Sequence, residues 1–271
     1  MNRLIPPPLR AACRRLAWNA IGLTSVTASG MPLRIASASD WHIFNEIFVR
    51  GEYDRAIMAS LARAAGEWNV VDLGANVGFF SLRALDLLRA SGRGDLAVHI
   101  VAVEGSPTVA RELAARLDHA GVTTAVTPVT GLIGRRSGDT VLCEAEFAAR
   151  SSIMRQEAGS SERVPFLDLH SVIRREAAID LLKCDIEGAE ELFLENYPDL
   201  LRVVRVAVFE LHDRLCDTRR CLDLLAAAGL VVQDHRVMAD STSIVTLARH
   251  GRTNQSQDPP ATSVTEPAFH L

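Results

Sequence analysis

The chain contains 271 residues, and 48% of them are apolar, which is enough to form a substantial hydrophobic core. Its net charge is −4 and no run of basic residues is interleaved with aromatic ones, so composition argues against a nucleic-acid-binding surface. No stretch has the roughly 18 to 20 consecutive apolar residues of a transmembrane helix. The five cysteines form no CxxC pair, which is typical of reduced thiols. We therefore predict a globular, cytoplasmic protein.

Both ends of the sequence differ from its middle. At the start, prolines at 6–8 and "SGMP" at 29–32 interrupt a segment whose arginines and apolar residues loosely resemble a signal peptide. Asn19 breaks that apolar run, so we predict an N-terminal helical extension over residues 1–40 instead. Near the other end, "TNQSQDPPATSVTEP" has the composition of a disordered tail, which we assign to 251–271. A single domain, 41–250, would lie between them.

Short β-branched runs alternate with helical patterns along this domain. In chain order we predict a strand at 68–73, a helix at 77–90, a strand at 97–103, a helix at 107–120 and a strand at 123–129. After a break at 131–170, which we assign to an inserted hairpin or lid, there follow strand 179–184, helix 188–196, strand 203–210, helix 214–228 and strands 230–237 and 242–248. Nearly continuous apolar strands indicate a mostly parallel sheet with helices on both faces. The closing hairpin would make one strand antiparallel at an edge.

The first predicted strand runs into a glycine turn in "VVDLGANVGFF" at 70–80. In open α/β sheets, ligands bind beyond the carboxyl ends of the strands, where this turn would lie. Gly74 and Gly78 would let the backbone approach a ligand closely, and Asn76 is the non-glycine residue best suited to a positive φ angle. We therefore predict that this turn contacts a ligand.

Two acids flank the glycine turn. Asp72 ends the first strand, where its burial would require a hydrogen bond or a cationic ligand group. Glu104 closes the next strand in "IVAVEGSP", where a carboxylate can accept both hydroxyls of a ribose. A nicotinamide dinucleotide would need G-x-G-x-x-G, but positions 76 and 79 are Asn and Phe. The residues favour S-adenosylmethionine, with an NAD(P)-binding Rossmann enzyme as the alternative.

These motifs resemble the FkbM-type S-adenosylmethionine-dependent methyltransferases over roughly residues 40 to 250. The resemblance is carried by "FNEIFVRGEYD" (44–54), "VVDLGANVGFFS" (70–81), "VAVEGSP" (101–107), "LDLHSVI" (167–173), "IDLLKCDIEGAEELFL" (179–194) and "VFELH" (208–212), of which "KCDIEGAE" is the most specific. Gly105 stands where the family usually has proline, and 131–165 matches only loosely. The family implies an α/β, Rossmann-like class I methyltransferase fold with a mostly parallel seven-stranded sheet. It also implies O-methylation, often of sugars or polyketide-type hydroxyls.

Catalytic candidates follow the strands at 179–184 and 203–210. Methyl transfer is an in-line displacement, so the enzyme must hold an acceptor oxygen near the methyl carbon with a base close by. Asp185 and Glu187 would point the same way if the strand stays extended, and His212 could be a base, a metal ligand or a solvated capping residue. A divalent cation held by Asp185, Glu187 and Glu210 is a further option.

Three other side chains each admit two interpretations. Lys183 lies inside an apolar strand and would pair with a carboxylate such as Asp185 or Asp72, or act as a desolvated base. Trp41 and Tyr53 would pack the lead-in segment against the core, or form an aromatic lid over the cofactor.

The functional prediction is an S-adenosylmethionine-dependent O-methyltransferase with a hydroxyl of a sugar, a glycan or a secondary metabolite as acceptor and no nucleic-acid partner. The alternative is a non-catalytic ligand-binding or partner module of the same fold. The predicted catalytic residues are Asp185, Glu187 and His212, and the predicted cofactor-binding residues are Asp72, Gly74, Asn76, Gly78 and Glu104.

Overall fold

The computed structural model describes residues 23–143, 161–173, 177–238 and 242–249. Most of the predicted N-terminal extension and the whole predicted tail lie outside these ranges, so the domain boundaries at 40 and 250 stay predictions. Within the described ranges, the helices are all too short or too polar to cross a membrane.

The described chain begins with a short hairpin and two helices, and strands and helices of the main sheet follow from residue 67 onward. In chain order its elements are β1 (Leu23–Val26), β2 (Pro32–Ile35), α1 (Ala38–Phe44), α2 (Asp54–Leu61), β3 (Glu67–Leu73), α3 (Phe79–Ala90), β4 (Ala97–Glu104), α4 (Pro107–His119), β5 (Val126–Thr130), β6 (Asp139–Cys143), β7 (Ser161–Pro165), β8 (Ile179–Cys184), α5 (Glu190–Asn196), α6 (Pro198–Leu201), β9 (Val204–His212), α7 (Thr218–Ala227), β10 (Leu230–Val237) and β11 (Thr242–Arg249). A π-helical turn at Asn45–Val49 continues α1, and a 3-10 turn at Leu169–Ser171 precedes β8.

The central sheet has seven strands in the order β10-β11-β9-β8-β3-β4-β5. Neighbouring strands from β9 to β5 are parallel, whereas β11 is antiparallel to both β9 and β10. The structure therefore confirms the mostly parallel seven-stranded sheet of the predicted fold class. The reversed strand lies one place in from the edge rather than at the edge, because β11 inserts between β9 and β10.

Two hydrophobic layers cover the two faces of the sheet. On β3, Val70 belongs to the layer that contains α3 and α4, while Val71 belongs to the layer that contains α5 and α7. An extended strand alternates its side chains in this way, so both faces become apolar when helices cover both. Every residue of β8 is buried, including Lys183. The prediction of helices on both faces is confirmed.

Local capping decides where three helices begin. Gly78 has a φ angle of 92° and Gly188 one of 100°, and these left-handed residues delay the starts of α3 and α5 relative to our predictions. The side chain of Asp217 accepts the backbone N–H of Arg220 at 3.0 Å and caps α7, which therefore also begins later than predicted.

The described part of the N-terminal extension is not the helix that we predicted. Residues 23–35 form an antiparallel hairpin of β1 and β2, and α1 follows this hairpin along the chain. The hairpin forms because its alternating side chains Leu33 and Ile35 are buried in the same layer as α3 and α4. A buried ion pair between Arg116 of α4 and Asp40 of α1 ties the segment to the domain.

The segment between β5 and β8 contains the predicted inserted hairpin, formed by antiparallel β6 and β7. The base of this insertion lies against the end of β4, where the amide of Gly131 donates to the carbonyl of Glu104 at 3.0 Å. A Cβ atom at Gly105 would lie 2.8 Å from Leu132 Cδ2. Glycine at position 105, where the family usually has proline, therefore leaves room for the insertion.

Candidate active site

The candidate site lies at the edge where the parallel strands end. The last residue of β3, Leu73, is in register with Cys184 of β8, and Cys184 is in register with Phe209 of β9. The residues that follow these positions therefore meet at one edge of the sheet, beside the end of β4. This edge brings together the predicted cofactor-binding and catalytic residues.

The turn between β3 and α3 is built from left-handed residues. Gly74, Asn76 and Gly78 have φ angles of 72°, 49° and 92°. The positive φ angle predicted for Asn76 is confirmed, and its side-chain Oδ1 accepts the amide of Val77 at 2.8 Å. Asparagine tolerates this conformation because its short side chain can bond locally to the backbone.

Protein packing explains why two positions of this turn are glycine. A Cβ atom at Gly74 would lie 1.7 Å from the carbonyl oxygen of Asp185, and one at Gly78 would lie 2.6 Å from Leu113 Cδ1. We predicted that these glycines make room for a ligand, whereas the contacts that exclude a side chain here come from the protein. Their contact with a cofactor stays a prediction.

Glu104 connects the glycine turn to β4. Its Oε2 accepts the amide of Asn76 and its Oε1 accepts the amide of Ser106, each at 2.8 Å. Burial raises the pKa of the Glu104 carboxyl, while these two amide bonds favour its charged form. Each carboxylate oxygen has a second lone pair, so the group can still accept the hydroxyls for which we predicted it.

Asp72 is fully buried at the end of β3. Its Oδ2 accepts the hydroxyl of Ser81 at 2.8 Å, and its Oδ1 lies 3.4 Å from Lys183 Nζ. The prediction that a buried acid here requires a hydrogen bond or a cation is confirmed, and protein groups supply both. Burial raises the pKa of Asp72, and the nearby ammonium opposes that rise.

Lys183, the only lysine of the chain, lies at the centre of the site with 4% of its side chain exposed. Its Nζ donates to the carbonyl of Gly74 at 2.7 Å and lies 3.5 Å from Asp185 Oδ2. Burial acts to lower the pKa of Lys183, but the carboxylates of Asp185 and Asp72 together raise it above its usual value. The predicted pairing with both acids is confirmed, and a permanently charged lysine has no lone pair with which to act as a base.

Asp185 and Glu187 do not share a face of an extended strand. β8 ends at Cys184, and Glu187 has a left-handed φ angle of 52°, so the extension that we predicted stops before these residues. The turn nevertheless carries both carboxyls to His212: Glu187 Oε2 lies 3.7 Å from His212 Nε2, and Asp185 also lies in this cluster.

Glu190 is a site residue that we did not predict, although the "EGAE" motif contains it. The carboxyl is fully buried and accepts the amides of Ile186 at 3.1 Å and Gly188 at 2.9 Å, which holds the turn before α5. Its Oε1 also lies 3.7 Å from His212 Nδ1, an ion-pair distance that is too long for a hydrogen bond. Glu190 therefore both shapes the turn and places a charge beside the histidine.

His212 is surrounded by carboxyl groups. Burial acts to lower its pKa, but Glu190, Asp185 and Glu187 outweigh burial and raise it to about 10. The imidazole is therefore protonated near neutral pH, where both of its nitrogens are donors. A protonated imidazole cannot accept a proton, so it does not suit the role of base that we considered for His212. It can instead stabilise several neighbouring carboxylates by its positive charge.

Tyr53 reaches the site, which neither of our two interpretations included, although one of them, packing against the core, is confirmed. The ring is buried against Phe80, in agreement with core packing, but its hydroxyl donates to Glu210 Oε2 at 2.7 Å. Trp41 stacks on Phe44 and is 46% exposed, so it packs against the core only in part. The contact between Tyr53 and Glu210 joins residues 157 positions apart, so the sequence around either residue does not indicate it.

Among the described residues, one group of side chains could hold a metal ion. Asp185, Glu190 and His212 bring one ligand atom each to within 4.8 Å of one another. Asp185 is shared with the set that we predicted, which also contained Glu187 and Glu210, and His212 is the other metal-ligand candidate that we considered. Both oxygens of Glu190 already accept backbone amides, and the surrounding carboxyls favour the charged form of His212, so a cation would have to compete with these protein contacts.

Solved structures with similar arrangements of elements have low sequence identity to this chain. The methyltransferase domain of METTL16 is 10% identical with a TM-score of 0.48, over 90% of this chain and 92% of that one. TrmK from M. capricolum, in complex with S-adenosyl-homocysteine, is 8% identical with a TM-score of 0.43, over 71% and 67%. Fibrillarin from Aeropyrum pernix, with bound S-adenosyl-L-methionine, is 14% identical with a TM-score of 0.41, over 73% and 74%.

Among curated protein sequences, none is similar enough to this chain to count as a match. The family model described as the methyltransferase FkbM domain matches residues 72–235. That range is more than half of the chain, and it contains the glycine turn, Glu104 and the cluster around His212. The chain therefore belongs to the FkbM methyltransferase family.

Proposed function

We propose that this chain is an S-adenosylmethionine-dependent O-methyltransferase that acts on a hydroxyl group of a sugar, a glycan or a secondary metabolite. The observation that carries the proposal is the position of Asp185 and Glu187. Both acids lie at the sheet edge next to the glycine turn and Glu104, so a bound methyl donor and a proton acceptor would be neighbours.

The residues at the glycine turn fit the proposed cofactor. Glu104 is held in place by two amides and keeps lone pairs for ribose hydroxyls. Asp72 is buried and its Oδ1 lies 3.4 Å from Lys183 Nζ, so this pair supports the turn from within the protein. When bound, S-adenosylmethionine supplies a methyl group on a positively charged sulfur. A dinucleotide fits less well, because Asn76 replaces a glycine of the pyrophosphate-binding pattern.

The chain's own residues would manage the proton of the acceptor. As the acceptor oxygen forms its bond to the methyl carbon, the sulfur retains the electron pair of the broken bond and the hydroxyl proton must leave. Burial and Asp185 raise the pKa of Glu187 to about 7, which suits a group that accepts a proton near neutral pH. We propose Glu187 as the proton acceptor, flanked by Asp185, with protonated His212 stabilising the carboxylate form.

The charges of the cluster bear on the kind of acceptor, and the cysteines bear on the location of the protein. Acidic side chains predominate at this edge, where Asp185, Glu187 and Glu190 surround His212, so we propose an uncharged hydroxyl acceptor rather than a polyanion such as a nucleic acid. Cys184, Cys216 and Cys221 form no disulfide, which supports the proposed cytoplasmic location.

The test is transfer of labelled methyl groups from S-adenosylmethionine to a panel of methyl glycosides and polyketide-type alcohols. We expect E187Q to bind S-adenosylhomocysteine nearly as tightly as the unaltered chain and to lose turnover by about 10²- to 10⁴-fold, the usual effect of losing one proton-transfer group. D185N and H212N should also keep this binding and lose turnover, because Asp185 and His212 set the pKa of Glu187. E195Q is a matched control, because Glu195 bonds to Arg220 on the surface of α5. Cofactor binding without transfer to any acceptor would favour the non-catalytic alternative.

A further inference from the structure

A buried tyrosine from the N-terminal part of the domain reaches the catalytic edge of the sheet. Tyr53 is 4% exposed, and its ring packs edge-on against Phe80 with centroids 5.3 Å apart. Its hydroxyl donates to Glu210 Oε2 at 2.7 Å, although the two residues are separated by 157 positions in the chain. The tyrosine precedes the segment that matches the family model, which begins at residue 72.

The segment that carries Tyr53 is fixed from two sides. On one side, Arg83 of α3 donates to both carboxylate oxygens of Asp54, at 2.9 and 2.6 Å. On the other side, Arg236 of β10 donates to the backbone carbonyl of Glu52. Because both neighbours of Tyr53 are anchored to different elements of the domain, its hydroxyl has a defined position relative to the sheet.

The acceptor of this hydrogen bond is not an ordinary core group. The side chain of Glu210 is 24% exposed, and its other oxygen, Oε1, lies 3.8 Å from His212 Nε2. The same nitrogen of His212 lies 3.7 Å from Oε2 of Glu187. Tyr53 is therefore linked to the proposed proton acceptor through two intervening side chains.

We propose that Tyr53 is a positioning residue for methyl transfer: its hydroxyl fixes the carboxyl of Glu210, which in turn keeps His212 beside Glu187. The role rests on the proposed function of the site. A tyrosine with only a packing role would need no acidic partner, because the ring alone fills the space against Phe80. The hydroxyl instead occupies one oxygen of Glu210 and leaves the other oxygen facing the histidine.

The kinetic test compares Y53F with Y197F. Tyr197 is the other tyrosine of the chain, and it is also buried. Its hydroxyl accepts the amide of Leu169 at 3.3 Å and donates to the carbonyl of Leu167 at 3.1 Å, so its hydrogen bonds lie away from the cluster. We expect Y53F to lower kcat by about 10- to 100-fold, a typical effect of misplacing a reacting group, with KM for S-adenosylmethionine within about twofold. Y197F should lose stability without a comparable loss of kcat. The Y53F/E210Q variant should be no slower than E210Q, because both changes disrupt the same contact between Tyr53 and Glu210.

A second measurement reads the contact itself, without turnover. A chain labelled with ¹³C at the hydroxyl-bearing ring carbon of tyrosine should give two signals, assigned with Y53F and Y197F. We expect E210Q to move the Tyr53 signal and leave the Tyr197 signal in place. If E210Q moves neither signal, the contact is absent and the proposal is wrong. If the contact is present but Y53F retains full kcat, the positioning role is wrong. If the unaltered chain transfers no methyl group, the proposed function fails and this role fails with it, while the signals still report the contact.

Discussion

Replacing Lys183 by methionine would leave buried negative charge without its cation. Lys183 and Asp72 are 4% and 0% exposed, and Nζ lies within 3.5 Å of carboxylate oxygens of both Asp72 and Asp185. Methionine preserves most of the side-chain length but removes the charge and the bond to the carbonyl of Gly74. Breaking a buried pair in this way typically costs about 3 to 5 kcal/mol, so we expect K183M to lower the free energy of unfolding by that amount.

Urea unfolding monitored by circular dichroism measures this loss, and two variants control for it. D72N/K183M should be more stable than K183M, because the amide removes the uncompensated charge. R163M should cost at most about 1 kcal/mol, because Arg163 and Asp139 form an exposed pair. In K183M, Asp72 should bind a proton more readily in the folded than in the unfolded chain, so the deficit should be smaller near pH 5 than near pH 8. Equal unfolding midpoints for K183M and the unaltered chain would show that Lys183 does not stabilise the buried carboxylates.

Three further predictions concern His212, Glu104 and metal ions. The pKa of His212 is about 10 in the folded chain and about 6.5 in the unfolded chain. Its contribution to stability should therefore be complete below about pH 6.5 and disappear as the pH rises towards 10. H212N should flatten this decline in urea midpoints, and an unchanged slope would show that His212 does not cause the decline. E104A should weaken the binding of S-adenosylhomocysteine by about 1 to 3 kcal/mol in calorimetry, because it removes the acceptor of the ribose hydroxyls and the two amide bonds that hold the glycine turn. Undiminished affinity would show that Glu104 does not bind the cofactor. EDTA should leave methyl transfer unchanged, since both oxygens of Glu190 already accept backbone amides, and loss of activity that Mg²⁺ or Mn²⁺ restores would establish a metal-assisted site.

The layout of the fold can be predicted from the sequence because it depends on local patterns. Continuous apolar runs such as "IDLLK" predict strands covered on both faces, and β8 is indeed buried along its whole length. The conformation of Asn76 and the need of Asp72 for a partner also follow from single-residue chemistry. The start of α3 is less predictable, because the left-handed Gly78 delays it.

The rest of the site depends on contacts between distant parts of the chain. The carbonyl of Asp185 is what excludes a side chain at Gly74, and the partner of Tyr53 is Glu210; neither pairing has a signal in the sequence near either residue. The left-handed conformation of Glu187 is also absent from the pattern, because the apolar run predicts only where the strand begins and where it stops. Physical reasoning on the sequence therefore finds the edge of the sheet, and the structure supplies the geometry at that edge.

The most direct test of the central claim, that this edge of the sheet is an S-adenosylmethionine site, is isothermal titration calorimetry of the full chain with two ligands. We predict saturable binding of S-adenosylhomocysteine at one site per chain and no binding of NAD⁺, because Glu104 and the Asn76 turn suit a ribose without a pyrophosphate. Tight binding of NAD⁺ with no heat from S-adenosylhomocysteine would contradict it.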